Sequence, residues 1–163
     1  MIHVALDTSG IGKNRSQKHA SYKALKRLIE ANQLTVHAPY VVKRELESQE
    51  LEYYLKEYRL LKESLKKFMK VPKSQAVQEI INEIQIKIHE SDNTINLDAE
   101  NFSKAWLKGL NSKIQEIDQD QAISALESYF RGTAPLTIAK NRDDIPDSFI
   151  CRGFEEIKKM LMN

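Results

Sequence analysis

The sequence predicts a helix-rich α/β fold, and three observations carry that prediction. Ile2 to Leu6 and Thr35 to Ala38 are short apolar runs of strand length. Between Gly12 and Gly109 there is no glycine and only Pro39 and Pro72 interrupt, so long helices should dominate this stretch. Both apolar runs lead directly into acid-bearing segments, where α/β folds place ligands and chemistry.

The elements follow in order. The strand Ile2–Leu6 ends at Asp7-Thr8-Ser9-Gly10, a sequence that also suits an ordinary turn or helix cap. Ser16 to Ala31 reads as a helix with Tyr22, Leu25, Leu28 and Ile29 as its apolar stripe. After the second strand, Pro39 suits a helix start, and Tyr40 to Met69 forms the longest helix. Its Leu51, Leu55, Tyr58, Leu61, Leu65 and Phe68 recur at spacings of three and four. Beyond Pro72, Ser74 to about His89 carries Val77, Ile80, Ile81, Ile84 and Ile88 on one face, making a natural antiparallel partner.

Ser91 to Thr94 is a polar break, and Asp98 reads as the N-cap of a helix over Ala99 to Leu110, with Phe102, Ala105, Trp106 and Leu110 inward. A further helix starts near Asp118 or Asp120, carries Ala122, Ala125, Leu126 and Tyr129, and stops at Gly132. Arg131 to Leu136 reads as a loop, and Pro146 opens a last helix-like segment from Asp147 to Leu161. The whole is expected to be one domain over residues 1–163, with a helical arm at about 47–89.

Composition narrows the function less than it narrows the fold. The 25 basic and 23 acidic residues leave a formal charge of +2, too small by itself to argue for nucleic acid. The single cysteine, Cys151, has no internal disulfide partner, reads as a small core residue, and fits a reduced, cytoplasmic setting. His3, His19, His37 and His89 lack metal-ligand spacing and are assigned no chemistry. No basic-then-apolar leader and no span-length apolar run is present, so neither secretion nor membrane insertion is expected.

The acids are more telling. Glu45 lies on the opening turns of the helix after the second strand, and Asp144 and Asp147, three apart, can point to one side of the last helix. Each acid alone fits capping or helix-dipole chemistry. Carboxylates that converged would repel one another and call for a hard cation with all-oxygen ligation. Basic residues neighbour each candidate: Lys13, Arg15 and Lys18 after Asp7, Lys43 and Arg44 before Glu45, and Arg131, Lys140 and Arg142 before Asp144. They suit phosphate contacts, or they simply solvate helix faces.

Taken together, Leu6-Asp7-Thr8-Ser9, Pro39 to Glu45, and Asp144-Ile145-Pro146-Asp147 resemble the acidic motifs of PIN-domain nucleases, in the family's order and with a long helical insertion after the second motif. The resemblance implies a PIN-like fold, a small parallel sheet flanked by helices. It also implies Mg²⁺- or Mn²⁺-dependent phosphodiester hydrolysis, most often of RNA, in toxin, defence or RNA-processing roles. On this resemblance Asp7 is the central metal ligand and catalytic residue, Glu45 and Asp147 complete its shell, and Asp144 is a ligand or its support. Thr8 and Ser9 support the site, while Lys13, Arg15, Lys43, Arg44, Arg131 and Arg142 face the substrate.

The resemblance departs from the family at its end. PIN domains usually continue into another strand with a Thr/Ser-x-Asp motif and a fourth acid, whereas here the last helix leads to Asn163. The expectation is an N-terminal part of a longer protein, a strand supplied by a partner, or a site with fewer acids. An inhibitor protein, an adjoining domain and self-association are the partners left open beside nucleic acid. Two other classes stay in view. One is an inactive PIN-like module used for binding or assembly. The other is a purely helical protein, which parallel pairing of Ile2–Leu6 with Thr35–Ala38 would exclude.

Overall fold

The computed structural model describes residues 1–11, 16–72, 74–132, 136 and 144–162. Three strands form one parallel sheet in the order β1-β2-β3: β1 is Ile2–Ala5, β2 is Leu34–Pro39 and β3 is Lys113–Gln115. The helices are α1 (Thr8–Ile11), α2 (Ala20–Glu30), α3 (Tyr40–Met69), α4 (Gln75–Ser91), α5 (Ile95–Gly109), α6 (Gln119–Arg131) and α7 (Asp144–Met162). The parallel register Ile2↔Leu34 to Ala5↔His37 excludes the purely helical reading.

Parallel strands are buried on both faces, which explains why β2, at the centre, reads as an apolar run. Val36 and Ala38 are fully buried, and Leu34 nearly so. Pro39 is the last residue of β2 rather than the first of the following helix, which opens at Tyr40. β3 was not expected, because Lys-Ile-Gln carries no apolar alternation; it exists through its pairing with His37, Ala38 and Pro39.

Three helix starts also shift, one of them that of α7, which opens at Asp144 rather than Asp147 and takes Pro146 into its first turn. α2 begins at Ala20 rather than Ser16, since the His19 side chain accepts the Ser21 N–H as N-cap. α5 begins at Ile95, so Asp98 lies in its first turn, bonded to the Thr94 hydroxyl at 3.2 Å, and is not a cap. Asp118 does cap α6, with the reciprocal Gln121 contact of a capping box, and Gly132 closes that helix at φ 62° in the left-handed region.

The chain forms two compact units. The first comprises Met1–Leu46 and Lys104–Asn163, and the second Glu47–Ser103. In the first, Val36, Val42, Leu46, Leu110, Ala125 and Ile157 make the core around the sheet. Tyr22 packs against Trp106 with ring centres 5.3 Å apart and donates its hydroxyl to the Trp106 carbonyl. α7 lies directly on β2: a Cβ placed on Gly153 would stand 3.0 Å from the Cβ and Cγ of Pro39. Glycine there lets the helix bearing Asp144 and Asp147 approach the end of the central strand.

In the second unit α3 and α4 run antiparallel. Lys62 Nζ meets the Asp92 carboxylate at 2.7 and 2.9 Å, Tyr58 donates to the Ile88 carbonyl, and Gln85 reaches Met69. Ile81 is buried, whereas Ile80 and Ile84, expected inward, are exposed. Among the described residues, no helix is long and apolar enough to cross a membrane.

Candidate active site

Asp7 lies just beyond β1, and the Leu6 N–H donates to the His37 carbonyl at 2.8 Å, so the ladder carries the chain up to the acid. Thr8 then opens the short α1. Glu45 sits in the second turn of α3, which starts immediately after β2 ends at Pro39. Asp144 and Asp147 occupy the first turn of α7, where the helix dipole favours negative charge. Asp7 and Glu45 thus come from the carboxyl ends of neighbouring parallel strands, and α7 is seated on the second of those strands.

Side-chain contacts bring these segments together. The Thr8 hydroxyl donates to Glu45 Oε2 at 2.7 Å across 37 residues of sequence. The Ser9 hydroxyl donates to Asp7 Oδ2. Burial raises the Glu45 carboxyl above its ordinary value; the Thr8 bond opposes this, and the charges of Asp147 and Asp7 add to it. Charges from two other chain segments therefore act on Glu45 and disfavour its ionised form.

Asp7, Asp144 and Asp147 also line one open pocket of about 320 Å³, with Leu136, Ile150, Cys151 and Phe154 as its other walls. Cys151 is half-buried here rather than a core residue. Burial raises its thiol, and Asp147, Glu155 and Asp7 raise it further against the pull of Arg152. The signal for this placement was the spacing of 144, 147, 151 and 154, one stripe of a helix, which sequence reading had not connected to the acids.

The basic candidates divide. Lys43 places its ammonium 5.6 Å from the centre of the Tyr40 ring, and Arg44 is exposed one residue before Glu45. Arg131 is an exposed side chain 3.5 Å from Glu127 on its own helix. Lys13, Arg15, Lys140 and Arg142 lie outside the described residues.

The donor chemistry fits a hard divalent cation: carboxylates on three segments with one of them pushed toward its neutral form, a tension that bound positive charge would relieve. Among the described residues, no three His, Cys, Asp or Glu side chains stand close enough together to hold an ion. Asp7, Asp144 and Asp147 share a pocket without closing into a finished shell.

A parallel α/β domain with acids gathered beyond its strand ends is the class that fold and site define. The chain belongs to the PIN domain family, whose model matches residues 4–160. PIN domains are generally nucleases and typically use divalent metals. No curated protein and no solved structure matches the chain significantly.

Proposed function

We propose that this PIN domain is a divalent-cation-dependent nuclease acting on RNA as an endonuclease, in a toxin, defence or RNA-processing setting. Asp7, Glu45, Asp144 and Asp147 would hold Mg²⁺ or Mn²⁺. When bound, the ion supplies Lewis-acid polarisation of a phosphodiester and a more acidic water. Thr8 holds the Glu45 carboxylate by one oxygen, and Ser9 holds Asp7 in the same way. Lys13, Arg15, Lys43, Arg44, Arg131 and Arg142 are the proposed phosphate contacts, positioning the backbone against charge that develops on the phosphoryl oxygens.

One observation supports the reading most: Thr8, next to Asp7, bonds Glu45 at 2.7 Å, while Asp7 lines one pocket with Asp144 and Asp147. Isolated capping acids would have no reason to gather in this way. The test is cleavage of single-stranded RNA, structured RNA and DNA with Mn²⁺ or Mg²⁺, comparing the chain with Asp7→Asn. Metal-dependent cutting of RNA that Asp7→Asn abolishes is the expected result. Absence of cutting together with absence of Mn²⁺ binding by calorimetry would replace it with an inactive PIN module serving binding or assembly.

A further inference from the structure

The α3/α4 hairpin of the second unit has two unlike faces. At about 100° per residue, Leu61 and Phe68 on α3 project to the same side of the pair as Ile80 and Ile84 on α4. The opposite side is built differently. There α3 presents Arg59, Lys62 and Lys66, and Lys70 follows in the turn just past its end, at spacings of three, four and four. From Arg59 to Lys70 the chain carries five cations and one acid, Glu63, at the edge of the stripe.

Beside it, α4 presents Gln75, Gln78, Asn82, Gln85 and His89, spaced 3-4-3-4, a heptad pattern without a charge or an apolar residue. The acids of α4, Glu79, Glu83 and Glu90, point away from α3 by the same helical geometry. Lys62 is neutralised by Asp92. Arg59, Lys66 and Lys70 make no ion pair among the described residues, and all three are exposed. Arg59 and Lys66 fall within an arc of about 20°, and Lys70 follows in the turn that ends α3.

We propose that this face binds a strand of nucleic acid, the three cations taking phosphates and the amide row taking base edges or sugar hydroxyls. An anionic membrane surface would favour apolar side chains among the cations. Here the apolar residues are on the other side. Gln75, Gln78 and Gln85 each donate one N–H within the protein, to Glu79, Asn82 and Met69, and the second N–H and the carbonyl of each amide remain to serve as donor and acceptor, which unpaired bases require and a lipid headgroup layer does not. The choice of nucleic acid as the polyanion rests on the nuclease reading above. The face itself rests on the hairpin alone.

The test is fluorescence anisotropy of labelled single-stranded RNA and DNA with the full chain in EDTA, so that binding is read without metal-dependent cleavage. Arg59→Gln, Lys66→Gln and Lys70→Gln are combined in one variant. A control removes the same charge from the first unit by Lys23→Gln, Lys26→Gln and Lys158→Gln. All six positions are exposed, five of them are helical and Lys70 is in the turn just past α3, and glutamine is a good helix former, so circular dichroism should be unchanged.

Each lost phosphate contact to a single strand removes about 0.7 from the slope of log K against log salt. The hairpin variant should therefore lose about 2 from the slope and bind about 100-fold more weakly at 0.1 M salt. The control should retain wild-type binding. Equal weakening by both variants, wild-type binding by the hairpin variant, or loss of anionic-vesicle binding with RNA binding intact would each overturn the proposal. Hairpin-dependent binding without metal-dependent cleavage would uphold this face and sink the nuclease reading. Cleavage with hairpin-independent binding would do the reverse.

Discussion

Thr8→Val offers the sharpest probe of how the candidate site is held. Valine keeps the branched shape of threonine and removes the one group that reaches Glu45, a hydroxyl 2.7 Å from Oε2. Glu45 is half-buried, and both burial and the charges of Asp147 and Asp7 already disfavour its ionised form. Among the described residues, the Thr8 bond is the influence that stabilises the carboxylate.

A hydrogen bond to a charged group contributes about 1.5–3 kcal/mol. If that stabilisation holds Glu45 ready for a cation, its loss weakens Mn²⁺ binding by about 10- to 150-fold at 1.4 kcal/mol per decade. This agrees with the roughly 10- to 100-fold cost seen when the partner of a metal ligand is removed. The assay is calorimetric titration of Mn²⁺ into wild type, Thr8→Val and Thr8→Ser, with thermal melting to confirm that all three are folded. Thr8→Ser restores the donor and should recover most of the affinity. Wild-type Mn²⁺ affinity in a folded Thr8→Val protein would refute the reasoning, because the Thr8–Glu45 contact would then be structural only.

Three further outcomes are expected. The His3 Nδ1–His37 Nε2 contact of 3.0 Å needs a neutral nitrogen as acceptor, and burial, then His3, then Lys113 lower the His37 pKa from 6.5. Since the folded state disfavours the His37 proton, stability is fully present above pH 6.5 and is lost as pH falls through the lowered value; urea midpoints across this range should fall in wild type and stay flatter in His37→Gln. Gly153→Ala puts a methyl 3.0 Å from Pro39 and should cost about 1–3 kcal/mol by overpacking, read by denaturant titration, with a larger fractional loss of Mn²⁺ binding if α7 shifts. Asp118→Ala removes the N-cap of α6 and should cost about 0.5–2 kcal/mol, with Asp118→Asn close to wild type.

What the sequence made legible was whatever a single segment determines. The runs Ile2–Leu6 and Thr35–Ala38 are strands within a residue or so, and Tyr40–Met69 matches a helix of the same bounds, because apolar period and the absence of glycine act locally. The acids were visible for the same reason: each follows a strand or lies in the opening turns of a helix. β3 was invisible because three residues of Lys-Ile-Gln hold no pattern, and their conformation comes from the ladder offered by β2. Pro39 suits a helix start as well as a strand end, and its pairing with Gln115 places it at the end of β2.

Cys151 shows where local reading stops and packing begins. On its own helix it is one apolar-tolerant position among several, so burial was the natural expectation. It faces the acidic pocket because α7 crosses the end of β2, and α7 can come that close because Gly153 has no side chain to hold it off Pro39. The same contact sets Asp144 and Asp147 beside Asp7. The acids are therefore specified one segment at a time, but their meeting is specified by a glycine six residues beyond the last of them. Substitution there should perturb the site without touching any of its carboxylates.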